Sequence, residues 1–144
     1  MKWLWFTYAV YWSAVALAAA LALAGYHLIE PEAVKRAFNE TASLPYEQRL
    51  LQSALDLLVV AVASYPGLFY AAAAYGAATA AVSEAFGVGY AVWYAAVAHV
   101  VLLFFAEVAR WHPLAQRFAK RRVEWGRYLL WVAASLSLLG VLSL

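Results

Sequence analysis

His99 stands near the middle of an apolar run, AVWYAAVAHVVLLFFAEVARWHP from Ala91 to Pro113, with Glu107 and Arg110 near its end. Ionisable side chains inside membrane segments are costly and mark ligand, ion or proton sites. At about 100° per residue, His99 shares a helix face with Val92, Ala95, Ala96, Leu103, Ala106 and Arg110. Three alanines around the ring point it at a neighbouring helix. Thr7, Ser13, Ser64, Thr79 and Ser135 lie in other segments and are candidate partners for a ring nitrogen. Three chemistries fit: a neutral histidine joining two helices by a hydrogen bond, a ligand to haem or a quinone, and a step in a proton or ion path.

His99 and His112 are thirteen residues apart, about 20 Å along one helix, but two stacked haems need four axial ligands and the chain has only His27 besides. A single haem b would take His99 from two copies. The three histidines lie too far apart in sequence to suggest a preformed metal site.

Asp56, Glu107 and Arg110 are expected near one membrane face, with Arg49 as a second cation. They form either a structural ion-pair clamp or a gate at which Asp56 or Glu107 titrates. A third cluster, Arg117, Lys120, Arg121 and Arg122 in RFAKRR, has the charge for anionic lipid headgroups at about 1 kcal/mol per residue. Leu114, Phe118 and Trp125 would form the apolar side of a short interfacial helix. The same charges set topology. No base-stacking platform accompanies them, so a nucleic-acid partner is not expected.

These residues need helices to position them. Of 144 residues, 67% are hydrophobic and 12% charged, against about a quarter charged in ordinary soluble domains. Apolar runs of about 18 or more residues read as membrane spans. Four are expected, at about 3–26, 50–82, 88–111 and 128–144, with polar inner loops at about 27–49 and 112–127. The first is longer than the roughly 7–15 residues of a signal-peptide core and reads as a span. The first loop holds a short helix from Pro31 to about Asn39, and Ser43 or Leu44 caps another with Pro45 in its first turn. The second span, with SYPGLFY in its middle, reads as one long helix kinked at Pro66.

Small residues recur at every fourth position: Ala14, Ala18 and Ala22, then Ala72, Gly76 and Ala80. Such stripes let helix backbones approach closely, inside the bundle or between copies. If both termini face out, nine of the ten basic residues lie on one side, as the positive-inside bias requires. Lys2 before an apolar run and the Asn39–Thr41 sequon oppose that orientation.

The chain has no cysteine, which excludes disulfides, thiolate nucleophiles and iron–sulfur ligation. No G-x-S-x-G, Walker, H-E-x-x-H or dinucleotide motif is present. Amides and thioethers are scarce (Asn39; Gln48, Gln52 and Gln116; Met1), which suits a thermophilic source. The expectation is an all-α protein: a four-helix transmembrane bundle, N-out and C-out, forming one integral domain over 1–144 in the cell membrane. Its expected role is non-enzymatic, as a structural or accessory subunit of a membrane assembly, with homo-oligomer contacts or other membrane subunits as partners. The alternatives are a small transporter or channel using His99 and the Asp56/Glu107/Arg110 cluster, and a haem- or quinone-binding redox subunit through His99.

Overall fold

The structure is a computed structural model and describes residues 2–144. Among the described residues there are seven helices: α1 (Lys2–Leu23), α2 (Pro31–Ser43), α3 (Tyr46–Ala63), α4 (Tyr65–Phe86), α5 (Val88–Trp111), α6 (Pro113–Phe118) and α7 (Trp125–Leu142). Helix makes up 86% and no strand is present among the described residues. Three helices, α1, α5 and α7, are long and apolar enough to cross a membrane. The chain divides into two compact units, Met1–Leu44 with Ala72–His99, and Pro45–Ala71 with Val100–Leu144.

In the first unit, α1 runs parallel to α4: Tyr11 meets Thr79, and His27, just past α1, meets Glu84. Gly76 permits this packing. A Cβ there would overlap the Tyr11 carbonyl and sit 2.9 Å from the Ala14 methyl. Ala72 and Ala80 are buried beside it. Gly87, with φ +90°, is the single residue between α4 and α5, a left-handed position that favours glycine. The chain reverses there, since Tyr11 touches both Thr79 and His99. Pro31 opens α2 at its first turn, and Leu44, extended at φ −74° and ψ 149°, closes it. Leu44 precedes Pro45, and the residue before a proline is pushed out of the helical region.

In the second unit, α3 and α7 are antiparallel. The Tyr46 hydroxyl donates to Gly140 O at 3.2 Å, and the Tyr128 hydroxyl to Ala61 O at 2.8 Å. Phe104 and Trp131 meet at 5.8 Å between ring centroids, and His112 and Tyr128 at 5.5 Å, so α5 and α7 also run in opposite senses. Leu57, Val60, Leu68, Leu102, Phe105 and Val108 fill the interior.

The single helix expected over about 50–82, kinked at Pro66, is instead two helices that reverse at Ser64. A Cβ on Gly67 would lie 2.5 Å from Val59 O and 3.0 Å from Val60 Cα. In a continuous helix, residues eight apart are about 12 Å apart along the axis. Ser64 makes the turn with φ 59° and ψ −128°, a conformation that disfavours any side chain by about 1–3 kcal/mol. Pro66 falls in the first turn of α4, where its missing N–H is harmless. It starts a helix and does not bend one. The polar flanks Tyr46–Arg49 and Ser83–Phe86, expected outside the span, are helical too. α3 and α4 therefore reach 18 and 22 residues, about 27 and 33 Å.

Candidate functional site

His99 is partly buried in the first unit. Its Nδ1 lies 2.7 Å from Ala95 O, one turn back on its own helix. A carbonyl oxygen only accepts, so Nδ1 carries the proton, and in the neutral ring Nε2 is the accepting nitrogen. The ring faces three aromatic side chains of α1, with centroids 4.8 Å from Tyr8, 4.6 Å from Tyr11 and 5.6 Å from Trp12. Tyr8 also donates to His99 O at 3.3 Å. The link between helices is thus ring packing plus a tyrosine bond to the backbone, where a hydrogen bond from the ring to a hydroxyl was expected. Four of the five candidate hydroxyls spend their single proton on carbonyls: Thr7 on Trp3, Ser64 on Ala109, Thr79 on Tyr75 and Ser135 on Trp131.

Tyr11 is fully buried, and its hydroxyl meets Thr79 Oγ1 at 2.5 Å. Because Thr79 gives its proton to Tyr75 O, Tyr11 is the donor of this bond. Sequence reasoning missed Tyr11. The signal was its spacing with Tyr8, Trp12 and Val15, an i, i+3, i+4, i+7 set that lines one helix face. An open groove of about 510 Å³ runs between α1, α4 and α5, from Trp12 and Ala95 past Ala19 and Ala91 to Leu23 and Glu84. At that end Glu84 accepts from His27 Nδ1 at 2.9 Å.

In the second unit the reversal at Ser64 leaves Ala61 O without the next helical N–H. Two side chains take its place, His112 Nε2 at 3.0 Å and the Tyr128 hydroxyl. His112 Nδ1 accepts from Leu114 N at 3.2 Å and so caps α6. Both ring nitrogens are engaged, which fixes a neutral tautomer with the proton on Nε2. Burial pushes the His112 imidazole below the ordinary histidine range, against an upward pull from its bond to Ala61. This histidine is a structural tie and has no nitrogen left for a metal or haem.

Glu107 accepts from Arg110 at 3.3 Å and from Trp111 Nε1 at 3.0 Å, all within the last two turns of α5. Asp56 lies mid-way along α3, eight residues before the turn at which Ser64 meets Ala109, or about 12 Å along the axis. Depth along the helices thus separates it from the Glu107–Arg110 pair. Arg110 and Arg127 lie over the Trp111 ring at 5.3 and 4.6 Å. Gln116 is buried and holds the 112–124 connection together. Its amide donates to Trp111 O at 2.6 Å and accepts from Glu124 N at 2.9 Å, while its backbone carbonyl accepts from Arg121 N at 2.9 Å. Arg117, Lys120, Arg121 and Arg122 project from this scaffold and are exposed. Among the described residues no group of three or more His, Cys, Asp or Glu could hold a metal ion.

No protein-family model, no curated protein and no solved structure matches this chain. The class defined by fold and site is therefore an all-helical protein with three helices long and apolar enough to cross a membrane.

Proposed function

We propose that this chain is a polytopic integral membrane protein with five crossings, α1, α3, α4, α5 and α7, acting as a non-enzymatic structural or accessory subunit of a membrane assembly. One observation carries this reading: within the apolar windows of α1 and α7, only 17% and 11% of residues are buried by the rest of the chain. Their outer faces call for lipid or a neighbouring subunit. The buried hydroxyls of Thr7, Thr79, Ser64 and Ser135 are spent on backbone carbonyls, which favours a packing role over a polar conduction path.

The proposed crossing number rests on four reversals, over 24–45, at Ser64, at Gly87 and over 112–124. It replaces four crossings with N-out and C-out termini by an odd number with termini on opposite faces. Lys2, Arg110, Arg117, Lys120, Arg121, Arg122 and Arg127 then share one face, seven of the ten basic residues, and the positive-inside bias makes it the inner one. In this arrangement Lys2 is inside and Asn39 outside, so the two features that opposed the four-span orientation favour the five-span one. The decisive experiment combines oligomeric state in mild detergent with solute flux in proteoliposomes. Association with itself or with a co-purifying membrane protein is expected, and a strict monomer that moves a solute would sink the reading.

A second reading rests on His99. With Nδ1–H held by Ala95, Nε2 presents its lone pair as haem ligation or a quinone hydrogen bond requires. A reduced-minus-oxidised visible spectrum tests the haem form. Sharp α and β bands lost in His99→Ala would establish it, and a flat spectrum would remove it.

A further inference from the structure

We propose that the 112–124 connection is a binding site for anionic phospholipid headgroups, with Arg117, Lys120, Arg121 and Arg122 receiving the phosphate and Phe118 entering the acyl region. The inference rests on the membrane reading above and adds a ligand class to it.

The charges themselves point outward. Lys35, Arg110 and Arg127 each have a carboxylate partner, at 2.8, 3.3 and 2.9 Å. Among the described residues no ion pair engages Arg117, Lys120, Arg121 or Arg122, and all four are exposed within a stretch of six residues. Their backbone is already ordered. Gln116 ties Trp111, Arg121 and Glu124 together, and Lys120 turns the chain at φ 54°. A ligand binding there meets a preformed loop and spends little free energy ordering it.

The apolar residues choose among anionic ligands. Phe118 is 88% exposed and Leu114 50%, both on α6 beside the cations. In water such side chains gain nothing from a free phosphate, and Leu114 offers no face on which a base could stack. Beside a phosphate layer they enter hydrocarbon while the cations stay with the headgroups. The position agrees: the connection spans thirteen residues, 112–124, between the ends of α5 and α7, two of the helices apolar enough to cross a membrane. Under the membrane reading both its ends therefore sit at one interface, which keeps the cations close to the headgroups.

The test is native mass spectrometry of the full chain in mild detergent with equimolar phosphatidylglycerol and phosphatidylcholine. At about 1 kcal/mol, or roughly fivefold, per basic residue near an anionic surface, retention of phosphatidylglycerol should exceed that of phosphatidylcholine by at least tenfold. The preference should vanish in R117Q/K120Q/R121Q/R122Q at unchanged helix content by circular dichroism. Phe118→Ser, which keeps every charge, should weaken retention of both lipids. Should the fourfold variant lose helix, the contrast is read on the wild type by raising ionic strength from about 0.01 to 1 M, which shortens the screening length from about 30 to 3 Å and should abolish the preference. A preference that survives neutralisation or salt overturns the proposal. So does displacement of the lipid by inorganic phosphate or a short oligonucleotide at equal concentration. A chain that stays in solution without detergent would instead sink the membrane reading itself.

Discussion

His112 carries the clearest pH consequence at the scale of single residues. Burial holds its imidazole below the ordinary histidine range, so the folded chain takes up this proton less readily than the unfolded chain. Its contribution to stability is whole above the ordinary value of about 6.5 and is lost as pH falls below it towards the folded value. Melting in detergent should therefore drop between about pH 7 and pH 5, and His112→Gln should flatten that slope. An identical slope in the variant would assign the pH effect to carboxylates. Removing the ring with His112→Ala strips Ala61 O of one donor and α6 of its cap. The expected loss is about 1–3 kcal/mol, read from the same melts. Tyr11→Phe deletes only the donor to Thr79 and should lower stability by about 0.5–1.5 kcal/mol. The outlines of these roles were hidden in the sequence. His112 beside Pro113 reads as the end of a helix, and its acceptor, Ala61 O, exists only because a distant helix breaks.

Small residues at close approaches decide how the helices pack. Gly76→Leu would drive a side chain into the Tyr11 carbonyl and the Ala14 methyl, forcing α1 from α4. Overpacking of this kind costs about 1–3 kcal/mol, to be read as a lower melting temperature. Gly126→Ala meets nothing within 4 Å and is the matched control, expected to be neutral. The stripe Ala72, Gly76, Ala80 was legible because every-fourth spacing is a property of the helix alone. Which helix it meets was not legible. The break at Ser64 was read two residues late and as a bend, because Pro66 and Gly67 are the residues that look like breakers, whereas Ser64, which makes the turn, has no local reason to adopt φ 59°.

For the whole molecule, the number of reversals sets the topology, and the native absence of cysteine makes single-cysteine labelling clean. With a membrane-impermeant maleimide, Asn39→Cys and Arg121→Cys should label from opposite faces in sealed vesicles. Labelling from the same face would restore the four-crossing arrangement and overturn five. An all-helical, strongly apolar chain was readable from composition and run length alone, because backbone groups in hydrocarbon must bond within their own segment. The placing of helix ends by Pro31 and Pro113 was readable in the same way, since proline acts on its immediate neighbours. By contrast, α2 runs past Asn39 to Ser43, Leu44 ends it, and Pro45 stands just before α3 and not in its first turn. Tertiary structure alone decided the hairpin at Ser64 and the aromatic surroundings of His99. Each depends on residues dozens of positions apart: Ser64 bonded to Ala109, Ala61 O held by His112 and Tyr128, and the His99 ring packed on Tyr8, Tyr11 and Trp12. A locally unfavourable turn persists only when such contacts over-determine it, and no window of sequence contains them.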